Sequence, residues 1–303
     1  MRWFETPDFN FLKGHKIAYV VSGILLVASI IGILTKGLQY GIDFKGGKEF
    51  VLEFEQPVNV LDIRGQLTEP LGGTPVVKRF GSPQDILIRT DNQDQISVVQ
   101  SAIMETVSEV YPDNPAEVIK TNIVGARFAE DLKQGALNAI IFALIVIFIY
   151  ILIRFKKWTF SAGAVAALFH DVLIVVGVFT FFSDIAPFSM QIDQAIIAAF
   201  LTIVGYSLND TVVVFDRIRE NSLLYKTMDH DEMVNKSLND TLSRTVITSV
   251  TTFFVVTILF IFGGEVLKGF SFALMLGVII GTYSSLFVAS SAVVELQRRI
   301  ENT

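Results

Sequence analysis

Residues 17–34 read IAYVVSGILLVASIIGIL, an apolar run from Ile17 to Leu34 that holds no charged side chain. A helix that crosses a bilayer needs roughly 20 mostly apolar residues, whereas a soluble core has no need of so long a run. Five more runs of this kind follow, at Ala136–Ile153, Phe160–Phe182, Ala195–Phe215, Thr245–Phe262 and Phe270–Val294. The pattern predicts an α-helical integral membrane protein with six transmembrane helices. Composition points the same way. Of the 303 residues, 51% are hydrophobic and 26 are Phe, and mean hydropathy is +0.54. Lys13, His15 and Lys16 precede the first run, as they would in a signal peptide. Its apolar core exceeds the ~7–15 residues usual there, and no small-residue cleavage motif precedes Gly37, so it reads as an uncleaved anchor.

Lys and Arg near the span ends set the orientation. Arg2, Lys13 and Lys16 lie before the first span, Arg154, Lys156 and Lys157 after the second, Arg217, Arg219, Lys226, Lys236 and Arg244 after the fourth, and Arg298 and Arg299 at the end. The short connections 183–194 and 263–269 carry only Lys268. Both termini are therefore expected in the cytoplasm. The division expected is a cytoplasmic N-terminus (1–16), a first transmembrane helix (17–35), an extracytoplasmic domain (36–133), and the remaining helices with a cytoplasmic C-terminus (134–303).

Inside that extracytoplasmic stretch, KEFVLEF at Lys48–Phe54 and on to Glu55 alternates as a half-buried strand does. Apolar residues at helical spacing occupy 59–71. Two strands at 74–80 and 85–90 flank Gly81-Ser82-Pro83. An amphipathic helix over 94–111 is stopped by Pro112 and Pro115, and a last strand covers 117–124. The order βαββαβ predicts an extracytoplasmic α+β ferredoxin-like domain, a fold that does not by itself name a ligand. The domain holds no His. Its GIDFKGGK stretch (Gly41–Lys48) fails as a phosphate loop, because Gly47 stands where the Lys belongs and Glu49 follows Lys48. The chain has no Cys and a net charge of −6. Disulfides and thiolate chemistry are excluded, and a nucleic-acid partner is not expected. No nucleophile–base pair, metal cluster or cofactor loop stands out, so no catalytic residue, metal or cofactor is assigned and an enzyme is not expected.

Ionisable groups at bilayer depth are costly and point to function. The fourth span contains Ile203-Val204-Gly205-Tyr206-Ser207-Leu208-Asn209-Asp210-Thr211. Asp210 falls roughly 8–10 Å inside its cytoplasmic end, and residues 203, 206, 207 and 210 share one face. The competing reading is a structural, hydrogen-bonded Asp. The fifth span opens with Arg244, with Thr245, Thr248 and Thr252 on the same stripe. Arg244 can sit level with Asp210. An approaching guanidinium favours a charged carboxylate and burial favours a neutral one, so a moving Arg244 could load and unload a proton there. Alternatively, Arg244 snorkels to the interface. The third span carries His170 and Asp171. Neighbouring residues point to different faces of a helix, so no pairing between them is expected. Gly277 and Gly281 form a small-residue packing signal.

Several motifs together resemble the SecD/SecF family of protein-export membrane proteins: YGIDFKGG (Tyr40–Gly47), His170-Asp171, VGYSLND (Val204–Asp210) running on to Asn221, Arg244-Thr245-Val246-Ile247-Thr248-Ser249, Phe262-Gly263-Gly264 and LKGF (Leu267–Phe270). The resemblance implies a fold related to the resistance–nodulation–division transporters. It also implies pairing of this six-span chain with SecD and assistance to a SecYEG-type translocon. The pair would draw a preprotein across the bacterial plasma (inner) membrane with the proton-motive force, or with sodium in some members. It carries the ion pathway onto Asp210 and Arg244; the charge in the third span and the polar motif of the fourth add Asp171, Tyr206 and Asn209 as candidates, and membrane lipid is expected around the spans. Two positions depart from the family pattern: Lys48 where Thr or Ser is usual, and Ala126 where Pro is usual. The rival functions are half of a small-molecule efflux pump, which would need a second large outer domain, and a scaffold with no ion coupling.

Overall fold

The computed structural model describes residues 8–183 and 185–301; Arg2, one of the basic residues used for orientation, lies outside them. The first apolar run lies in α1 (Phe11–Lys36). Asn10 caps it by accepting from the Lys13 amide at 2.9 Å, and Gly37 ends it at φ 71°. After α1 the chain makes an isolated bridge, Tyr40 to Ile192, with Gly41 N on Ile192 O at 2.8 Å and Ile192 N on Gln39 O at 2.7 Å. One turn, α2 (Ile42–Lys45), leads into β1 (Gly47–Phe54).

The α+β domain then runs α3 (Val60–Leu67), β2 (Val76–Phe80), β3 (Ser82–Thr90), α4 (Ile96–Val110) and β4 (Ala116–Val124). The strands form one antiparallel sheet in the order β2-β3-β1-β4. One sheet face, with Phe50, Leu52, Ile86 and Ile88, packs on Ile63 and Leu67 of α3 and on Val99, Ile103 and Val107 of α4. The alternation in Lys48–Glu55 predicts a half-buried strand, yet β1 is buried on both faces, with Glu53 alone exposed. The reason is that the second sheet face lies over the helical body rather than in open solvent. The unusual Lys48 lies on the other face, in line with Phe50 and Leu52: its side chain is buried and its Nζ donates to Asn92 O at 2.6 Å.

The chain returns through α5 (Ala126–Phe155), so this helix begins well before its apolar run. Ala126 takes its first position, one where Pro is common because no amide partner is needed. Next come α6 (Trp158–Phe182), α7 (Gln194–Leu224) and α8 (His230–Phe262). The last span is α9 (Glu265–Ser284), a π-helical segment at Ser285–Ala289, and α10 (Ser290–Glu301). Six helices are long and apolar enough to cross a membrane. Both α7 and α8 run beyond their apolar stretches on the side away from the sheet. There Asn235 and Asn239 of α8 hold the backbone of Phe9 and Leu12, and Arg298 pairs with Asp231. Both described chain ends therefore lie on the face opposite the sheet.

Two apolar clusters fill the body. Near the α7–α8 turn, Phe155 stacks on Phe160 at 5.1 Å and Phe215 meets Phe160 edge-on at 5.0 Å. Nearer the sheet, Phe179, Phe188 and Phe200 gather with Met190 and Ile203. Close backbone approach sets the helix spacing. A Cβ on Gly277 would stand 2.2 Å from Ile203 Cγ1, and one on Gly177 would stand 2.0 Å from Ser29 Oγ. Such contacts draw α9 onto α7 and α1 onto α6.

Candidate functional site

The polar face expected on α7 does turn inward. Ile203, Ser207 and Asp210 are buried and Tyr206 is half-buried, whereas Asn209 points outward. Asp210 is 3% exposed, and its Oδ2 has no hydrogen-bond partner. The Ser249 hydroxyl and the Arg244 side chain lie near it on α8. Ser249 is nevertheless committed elsewhere. Thr282 Oγ1 donates to Val278 O at 2.7 Å, so Ser249 donates to Thr282 at 2.6 Å and accepts from Tyr206 at 3.4 Å. No proton remains on Ser249 for Asp210. A buried carboxylate oxygen without a donor is costly, and a bound proton or cation would relieve that cost.

Arg244 lies on the exposed side of α8, and among the described residues no ion pair within 4.0 Å joins it to Asp210. The chain brings the two onto neighbouring helices without closing the contact. Thr245, beside it, is buried with an unpartnered hydroxyl, although Thr241, Thr248, Thr251 and Thr257 on the same helix all bond back to their own backbone.

Asp171 is fully buried on α6. Its Oδ2 accepts from Ser207 of α7 at 2.6 Å and from Ser284 of α9 at 2.8 Å. Contrary to the spacing argument, Oδ1 meets His170 Nδ1 at 2.9 Å. Nδ1 sits near the ring's attachment point and can fold back along α6. Nε2, at the far edge, reaches Ser22 of α1 at 2.9 Å. Ser22 then meets the Tyr283 hydroxyl at 3.0 Å, and Tyr283 donates to Ala18 O at 2.7 Å. The sequence offered no signal for Ser22, Tyr283 or Ser284 beyond small or polar residues inside apolar runs. The π segment that begins directly after Ser284 was equally invisible.

At the sheet end, a cavity of about 370 Å³ separates the sheet from the helical body. On its sheet side Arg89 pairs with its cross-strand neighbour Glu49 at 2.5 Å, while its Nε and Nη1 stay buried without partners. Asp193 caps α7 by accepting from the Ile196 amide at 2.9 Å. Burial, and secondarily the nearby Asp43, push its carboxyl above the usual 3.8. Among the described residues no cluster of His, Asp and Glu is placed to hold a metal.

The fold and site define a polytopic membrane protein whose buried carboxylates lie between helices beneath an α+β domain. A family model described as "Protein export membrane protein SecD/SecF, C-terminal" matches residues 103–299, and a second, "SecD/SecF GG Motif", matches residues 31–58. This chain belongs to the SecD/SecF family of protein-export membrane proteins. It is 58% identical to the protein translocase subunit SecF of Rhodothermus marinus, over 99% of this chain and 96% of that one. It is 39% identical to the SecF of Haemophilus influenzae, over 98% and 88%. Among solved structures it resembles SecDF, a translocon-associated membrane protein from Thermus thermophilus, with TM-score 0.86 and 33% identity. That match covers 98% of this chain but only 40% of the longer SecDF chain.

Proposed function

We propose that this chain is an auxiliary subunit of the bacterial preprotein translocase and works with a SecD partner to turn an ion gradient into forward movement of the preprotein. Full-length similarity to SecF subunits supports the first part. The match to 40% of the SecDF chain supports the second, because a SecD part accompanies the matched part there. The observation that carries ion coupling is Asp210, buried with a donor-less Oδ2 while Arg244 faces out of the body. Such a half-built site is completed by a partner helix against α7 and α8. Tyr206, Asn209 and Asp171 belong to the same pathway, with the proton as the carried ion. The outer domain is of the ferredoxin-like class, as the sheet order and the two helices on one face support. It lies outside the plasma membrane, with both termini in the cytoplasm, and meets the preprotein leaving a SecYEG-type translocon. The protein acts by movement rather than by catalysis.

The test is preprotein translocation in vesicles holding this chain, its SecD partner and the translocon, with and without a proton gradient. Asp210→Asn is expected to co-purify with its partners yet lose the gradient's acceleration, by about tenfold or more. An Asp210→Asn complex that responds as the wild type does would mark Asp210 as a packing residue and leave a scaffold with no ion coupling.

A further inference from the structure

We propose that His170 and Asp171 jointly hold a proton inside the helical body, and that its presence or absence determines how α1 is fastened to α9. The proposal rests on the ion-coupled reading above and extends it to His170, which that reading leaves unused.

The direction of each hydrogen bond fixes the proton count. A carbonyl oxygen only accepts, so Tyr283 gives its hydroxyl proton to Ala18 O. Tyr283 can then only accept from Ser22. Having given its proton to Tyr283, Ser22 must accept from His170 Nε2, which therefore carries a hydrogen. At the other edge of the ring, Nδ1 faces Asp171 Oδ1. With Nε2 already protonated, that contact is a hydrogen bond only if a further proton lies between Nδ1 and Oδ1. It is written either as imidazolium beside carboxylate or as imidazole beside carboxylic acid. Both contain the same number of protons, and both leave the pair with no net charge.

Loss of that proton to water, with no other bond made and nothing oxidised, leaves a neutral ring beside a carboxylate. The ring keeps Nδ1–H on Asp171 and bares Nε2. Ser22 must then turn its hydroxyl towards Nε2 and release Tyr283. A continuous chain of bonds from α6 through α1 to α9 becomes two pieces. The groups facing the pair are Ser22 from α1, Ser207 from α7 with Asp210 one turn further along, and Tyr283 and Ser284 from α9. Among the described residues no Lys or Arg contacts it. The π segment begins immediately after Ser284. Such segments break the regular backbone pattern and recur at functional sites, and here it follows Tyr283, whose bond with Ser22 changes, and Ser284, which holds Asp171. Through Gly37 and the Tyr40–Ile192 bridge, α1 leads directly into the outer domain.

The chain has three His. A variant with His15→Gln and His230→Gln, carrying nitrogen-15 histidine in this chain alone, leaves His170 as the only ring to observe. In the complex with SecD and the translocon in lipid, nitrogen NMR of that ring is expected to show hydrogen on Nε2 with Nδ1 sharing a proton. Raising pH until the pair gives up its proton should convert the ring to a bare Nε2. Asp171→Asn supplies an amide donor to Nδ1 and so keeps the loaded pattern with no proton to lose. Its His170 signal should stay unchanged over the same range, and its gradient response should disappear. A ring with bare Nε2 throughout, or one that never changes in the wild-type background, overturns the proposal. Should Asp210→Asn abolish the gradient response while His170 remains fixed, ion coupling at Asp210 stands and only this inference falls.

Discussion

At the residue scale, Gly47 shows how narrowly the start of β1 is constrained. Its φ is 124°, and a Cβ there would lie 2.7 Å from Thr90 O. Both strain and a clash with backbone would follow. Gly47→Ala is expected to cost on the order of 3 kcal/mol, read as a lower unfolding midpoint of the purified protein in detergent. Asp193 gives the opposite sign. Burial raises its carboxyl above 3.8, so folding disfavours the ionised form. The folded state gains stability as pH falls through the raised value, and the gain is complete below 3.8. Asp193→Asn can still cap α7. It should therefore be at least as stable as wild type at neutral pH, with the difference closing on acidification; thermal unfolding at several pH values reads this directly. Asp210 was legible in the sequence because a charge inside an apolar run has one plausible orientation. The His170–Asp171 contact was not, because helical periodicity fixes where a Cβ points and says nothing of how far a long ring can fold back.

At the element scale, the apolar runs located all six helices but not their lengths. The stretches 216–224 and 230–244 continue α7 and α8 with mixed polar residues, and only the packing of Ile218, Val234 and Leu238 there makes them one continuous core with the membrane part. Burial of β1 on both faces was likewise hidden, since a strand's own alternation cannot reveal a second surface supplied by distant segments. The Gly277–Gly281 pair was readable as a packing signal, and its partner turns out to be Ile203 and Ser207 on the polar face of α7. Gly277→Ala should lower stability by about 1–3 kcal/mol through overpacking. Adding Ile203→Ala should recover part of that loss, because the clash lies between those two side chains. Unfolding midpoints of the two single variants and the double variant give the coupling.

At the scale of the whole molecule, the α+β domain is attached along one side by its covalent exit and return. The beginning of β1 pairs with the end of β4, Gly47 opposite Val124, so α1 delivers the chain and α5 takes it back at nearly the same place. The far edge of the sheet, β2, is held separately by Lys78 Nζ on Ser183 O at 2.7 Å. Kinematically, two adjacent struts act as a door hinge and leave one easy rotation, while a contact at the opposite edge acts as the catch. A domain mounted this way can swing without stretching any part of the chain. Any motion of the helices passed to the domain would therefore act as a torque about the β1–β4 side, not as a pull along a tether.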